Sequence, residues 1–175
     1  MIPDGYTEIE SNPISAATAA VKSVLALLEP QGALPADIWH DPFALGFVFY
    51  LSHAASVIAG TDPKDFENAP SIYMDLCGRD GIEILKRTMV FSMDEDADYV
   101  SGLTAGDKLF AVTNGSTAYD DDPDIRAIRR IIAETRDTLP DTGDISEPDI
   151  EGAYLLEALF LAPLRRRLGL EPVLH

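Results

Sequence analysis

From Pro42 to Gly60 the chain runs for 19 residues without a formal charge. A helix built from such a run is apolar on nearly every face, so lipid or neighbouring protein must surround it. Ser52, His53 and Ser56 lie inside the run, Asp41 and Asp62 flank it, and no Lys/Arg cluster sets an orientation across a bilayer. The reading is therefore a buried central helix of a soluble domain, not a membrane span. Asp41 is placed to cap it, with Pro42 at its first position and Gly60 as its stop. Gly46, Ala54 and Ala55 are small enough to let neighbouring helices approach.

Candidate covers for this helix recur along the chain. Asn12-Pro13 opens a segment in which Ile14, Ala17, Val21, Val24, Leu25 and Leu28 form a stripe at spacings of three and four. Ser15, Thr18 and Lys22 fall on its other side, and Pro30 and Gly32 stop it. Pro35 to His40 reads as a short helical turn. A helix is expected from Ser71 to Cys77 and another from Gly81 to about Met93. Asp80 and Glu83 have the spacing of a capping pair, and Ile82, Leu85 and Met89 are expected to face inward. Thr104 to Gly115 fits either a hairpin turning at Asn114-Gly115 or a short helix stopped there; helices on both sides favour the second. Asp122 and Pro123 open a helix with Ile125, Ile128, Ile131 and Ile132 inside and Arg126, Arg129, Arg130 and Glu134 outside. A loop is expected from Asp137 to Ser146, where Ser146 and Asp149 start the last helix. That helix should kink or restart at Pro163 and end at Arg165-Arg166-Arg167, closed by Gly169.

The sum is an all-α fold: a compact single-domain bundle of six to eight helices around a central apolar helix at about 42–60. Residues 1–12 are expected to be an irregular N-terminal arm, 13–170 the helical domain and 171–175 a C-terminal tail. The 46% hydrophobic content is enough to bury a core without staples. One cysteine, Cys77, excludes an internal disulfide and reads as a semi-buried, inert thiol of a reducing, cytoplasmic compartment.

Thirty acidic side chains oppose thirteen basic ones, a net charge of −17. The resulting field repels phosphate, which disfavours nucleic acid and anionic lipid and leaves room for a basic protein partner. The bias of Asp over Glu and Arg over Lys fits a GC-rich genome or a saline habitat alike, and the chain as a whole is read as bacterial in style. Residues 94–124 alone carry nine acids and one base. Their carboxylates Asp94, Glu95, Asp96, Asp98, Asp120, Asp121, Asp122 and Asp124 form the candidate acidic interaction surface. Solvated loops and helix starts are the commoner use of such carboxylates, ahead of steering toward a basic partner and of mimicry of a phosphate backbone.

Chemistry-bearing motifs are sparse. No His-x-x-x-His, Cys-x-x-Cys or Glu-x-x-His pair predicts a metal, and no glycine-rich loop predicts a nucleotide, so no cofactor is expected. Asp141 to Ile145 has only the flavour of a calcium loop. Trp39, His40, Tyr50 and His53 are the candidate ligand-binding residues of a small helical enzyme or binding protein. The leading reading is a non-catalytic interaction or regulatory module acting through its acidic surface. Self-association, as a homodimer for example, has its best candidate interfaces in 42–60 and 150–162.

Overall fold

The central helix begins where Asp41 and Pro42 direct it. In the computed structural model, which describes residues 12–28, 35–136 and 147–170, the Asp41 carboxylate accepts the Ala44 N–H at 2.9 Å. The described residues form α-helices α1 (Pro13–Leu25), α2 (Pro42–Ile58), α3 (Ala69–Cys77), α4 (Gly81–Met93), α5 (Ala97–Thr113), α6 (Pro123–Arg136), α7 (Glu147–Leu156) and α8 (Ala162–Arg167). A 3₁₀ turn over Ala36–His40 precedes α2, and a π-helical stretch, Glu157–Leu161, joins α7 to α8. No strand occurs among the described residues, so the segment after Thr104 is helix; it belongs to α5, which starts earlier, under an Asp96 cap. The all-α expectation holds. The arm before Asn12, the stop at Pro30 and Gly32, the loop Asp137–Ser146 with its calcium-like stretch, and the tail 171–175 lie outside the described residues.

Helix α2 is the hub. Phe43 through Val48 are six consecutive buried residues, as a helix enclosed by others requires. Its main partners are α5 and α1. The approach to α5 is set by glycine on both sides. A methyl on Gly46 would overlap the Tyr99 carbonyl oxygen, and one on Gly102 the Phe43 carbonyl oxygen, so the two backbones touch. Gly106 sits under the Tyr50 ring, 3.0 Å from where its Cβ would be. From the other side, Phe160 of the π stretch stacks on Phe47 with ring centroids 3.7 Å apart. No helix among the described residues is long and apolar enough to cross a membrane.

Four expectations are corrected, three of orientation and one of capping. Thr18 is buried beside Ala17, because α1 packs on both α2 and α3 and needs a wide inner face; its hydroxyl has no partner among the described residues. Asp80 makes no capping bond, since it ends a 3₁₀ turn with helical backbone angles (φ −87°, ψ −7°) and not the extended angles of a cap. Ile131 is 46% exposed, lying about 100° around the helix from Ile132 while Ile125 and Ile128 are buried.

The fourth correction concerns α4. Its buried face is Gly81, Ile84 and Thr88, whereas Ile82 and Met89 are exposed and Leu85 is half-buried. Gly81 is inside because a Cβ there would collide with the Tyr73 backbone. Thr88 is inside because its hydroxyl donates to the Ile84 carbonyl at 3.0 Å and lies 3.4 Å from the Tyr73 hydroxyl. The inner stripe thus holds only one large apolar residue, Ile84, between a glycine and a threonine, and Ile82 and Met89 are left on the outer one beside Glu83 and Lys86.

The α2–α5 contact yields a contrast in stability. Gly46→Ala should lower the free energy of unfolding by about 3 kcal/mol, because backbone cannot yield as a side chain can. Gly152→Ala, whose methyl would meet only Thr113 Cγ2 at 3.5 Å, should raise it by roughly 0.5–1 kcal/mol through helix propensity. Urea titrations followed by circular dichroism measure both; equal effects would contradict the backbone contact.

Candidate functional site

The structure gives Trp39, Tyr50 and His53 separate partners and leaves His40 exposed. Trp39 is half-buried where two hydrophobic clusters meet, and its carbonyl accepts the Arg87 guanidinium at 2.7 Å. His40 is exposed. Tyr50 turns toward α5 and donates its hydroxyl to Asp107 at 2.5 Å. His53 faces the turn after α2, with Nε2 3.0 Å from the Pro63 carbonyl and its ring stacked on Phe66 at 4.6 Å.

Most of the candidate acidic surface is engaged inside the fold. Asp96 caps α5 through the N–H groups of Asp98 and Tyr99. Asp122 caps α6 through those of Asp124 and Ile125. Asp98 pairs with Arg167 at 2.7 Å, Asp120 with Arg129 at 2.7 Å, and Asp121 with Arg126. Lys108 bridges Asp122 at 2.7 Å and Asp124 at 3.3 Å. Partial burial lowers the Lys108 pKa, but the two carboxylates outweigh it and the net displacement is upward. Asp122 is pushed up by burial and pulled further down by Lys108 and the two cap N–H groups, so it stays ionised. Asp94 and Glu95 are left: both are exposed, and no basic side chain among the described residues pairs with them.

A polar knot that sequence reading missed lies beside this network. Asp107, midway along α5, accepts the hydroxyls of Tyr50 from α2 and Tyr119 from the turn before α6. Burial, and then the Asp107 carboxylate, push the Tyr50 pKa well above its ordinary value. The bond to Asp107 comes first for Tyr119, pushed up to about 12. Both phenols are therefore neutral donors at physiological pH, holding a carboxylate in place. No local signal marks the knot, because its members are 57 and 12 residues apart.

A cleft of about 650 Å³ opens between α5, α6 and the π stretch. Its α5 wall is Ala97, Val100, Ser101, Thr104, Ala105 and Lys108; Ala127, Ile128, Ala158, Leu159 and Pro163 face it. None of Trp39, His40, Tyr50 and His53 lines it. Cys77, by contrast, is half-buried and unpaired, and burial followed by the nearby Asp80 pushes its thiol up to about 12. It is protonated at neutral pH, as an inert thiol is. Among the described residues, no three His, Cys, Asp or Glu side chains are grouped to hold a metal ion. Comparison with protein-family models, with curated proteins and with solved structures returns no match.

The knot has a pH signature. The unfolded Tyr119 phenol loses its proton near pH 10, whereas the folded one keeps it to about 12. Its contribution to stability is complete below pH 10 and is lost as pH rises toward 12. Tyr119→Phe should cost about 1 kcal/mol at pH 7 and reduce the fall in stability between pH 9 and 11. Urea midpoints at the two pH values measure this; an unchanged slope in the variant would contradict it.

Proposed function

We propose that this chain is a non-catalytic protein-interaction or regulatory module that docks through the outer face of α4. The observation that carries the reading is the orientation of that helix. Ile82, Met89, Val90 and Met93 are 40%, 49%, 53% and 81% exposed, and at about 100° per residue Ile82, Met89 and Met93 stand on one line opposite Ile84 and Thr88, with Lys86 among them, its charge already met by Glu83 at 3.6 Å. Leaving such a line in water forgoes apolar burial worth roughly 25 cal/mol per Å². Methionine suits a docking face because its unbranched, polarisable side chain adapts to different surfaces. Met74, on neighbouring α3, is exposed as well.

Charge defines the partner. The C-terminal end of α4 carries the negative end of the helix dipole, and Asp94 and Glu95 follow immediately. These are the two carboxylates of the acidic stretch that internal pairing leaves over. A surface complementary to this end presents an apolar patch with Lys or Arg at its edge, so the partner is a basic protein. Such charges accelerate encounter and suppress wrong partners more than they add affinity. The acidic surface expected from sequence is thereby narrowed to Asp94 and Glu95 at the end of an apolar stripe.

A photo-crosslinking residue at Met93 in the native host, compared with one at Arg130 on α6, tests the reading. The expected result is an adduct specific to position 93 with a basic protein. Once purified, that protein should bind at least tenfold more weakly to the Met89→Ala, Met93→Ala double variant, and more weakly as salt rises from 0.05 to 0.5 M, about a threefold shortening of the screening length. No adduct specific to Met93, an adduct only with a second copy of this chain, or salt-independent binding would each overturn it.

A further inference from the structure

We propose that the cleft between α5, α6 and the π stretch is a binding site for a single-chain amphiphile with a cationic head group. This inference is independent of the α4 docking face. The cleft follows α5 along residues 97, 100, 101, 104, 105 and 108, a continuous face at helical spacing. From Ala97 to Lys108 this face is about 16 Å long at 1.5 Å per residue, roughly the span of a twelve-carbon alkyl chain. Its volume of about 650 Å³ lies within the range of small-molecule sites. Small lining residues hold it open: Ala97, Ser101, Thr104, Ala105, Ala127 and Ala158 occupy positions where larger side chains would close the gap.

The wall opposite α5 has a local cause. Pro163 has no N–H and its ring crowds the carbonyl four residues earlier, so the helix cannot run through Leu159 with regular α geometry. The chain widens into π geometry over Glu157–Leu161, and Ala158, Leu159 and Pro163 from this region line the cleft. Leu159 is buried together with Phe43 and Ile128 from α2 and α6, which makes the floor apolar.

The polar end selects the sign of the head group. Lys108 is only 14% exposed and is already held by Asp122 and Asp124. The three together carry one net negative charge. Asp124 keeps the longer contact, at 3.3 Å, and is 66% exposed, so one of its oxygens can receive an incoming cation without uncovering the lysine. A carboxylate or sulfate head would instead have to compete with both aspartates for Lys108. Thr104 is no donor to the ligand, since its hydroxyl is spent on the Val100 carbonyl at 2.9 Å.

The test uses dodecyltrimethylammonium below its micelle concentration, with dodecyl sulfate as the anionic counterpart, by calorimetric titration of the full chain in 0.15 M salt. One-site, saturable binding of the ammonium is expected, at least tenfold tighter than any binding of the sulfate. Asp124→Asn should weaken it at least threefold. Ala158→Trp and Ser101→Leu change exposed positions and no charge, and each should abolish the saturable phase while circular dichroism stays native. Absence of saturable binding, equal affinity for the sulfate, or undiminished binding in both cleft-filling variants would overturn the proposal. The last outcome would assign the binding to unspecific attraction by an acidic protein.

Discussion

Direct backbone contact between α2 and α5 governs the arrangement of the other helices. Gly46 and Gly102 each face a carbonyl of the opposite helix, at Tyr99 and Phe43 respectively. At that separation Phe43 and Phe47 of α2 are directed to Phe160, and Tyr50 is brought within reach of Asp107 on α5. A wider gap would break the Tyr50 bond and leave a partly buried carboxylate short of a donor, which costs more than the bond contributes when made. Close packing and polar satisfaction are therefore one geometric condition here.

The charge excess is organised by the same two helices. Lys108 and Asp107 are adjacent on α5, and between them they hold Tyr119, Asp122 and Asp124. The stretch that carries the densest negative charge is thus fastened to the bundle by one lysine, two tyrosine hydroxyls through Asp107, and the cap of α6. Exposed pairs such as Arg126 with Asp121 add little to stability, because solvent screens them and long side chains lose freedom. Within residues 94–124 such pairs and the caps leave only the Asp94 and Glu95 carboxylates without an internal partner among the described residues.

Much of the fold was legible from local chemistry. Asn12, Asp41 and Asp122 each accept N–H bonds of the helices they precede, as expected, and the uncharged run after Asp41 is enclosed as its composition demands; the Asp96 cap of α5 was not anticipated. What was not legible is orientation where an inner stripe is built of unusual residues. In α4 two of the three inner positions are glycine and threonine, set against Tyr73, with Ile84 the only large apolar residue among them, so apolar periodicity pointed to another face. The Asp107 knot and the cleft had no signature, because both arise from residues brought together by tertiary packing. The aromatic and histidine residues of 39–53 were conspicuous as a group along the chain, whereas Tyr50 is bonded to Asp107 on α5 and His53 to Pro63 and Phe66 after α2.

Arg167 has a bearing on the order in which the molecule is completed. Its guanidinium pairs with Asp41 and Asp98, 126 and 69 positions away, and lies over the Phe43 ring. The Asp41 carboxylate thereby holds the start of α2 with one oxygen and the end of α8 with the other. Contacts of such long sequence separation form late, after loop closure has been offset by nearer ones. During synthesis, the apolar central helix stays without this clasp until residue 167 has left the ribosome, and that interval is when the nascent chain most needs shielding from its neighbours.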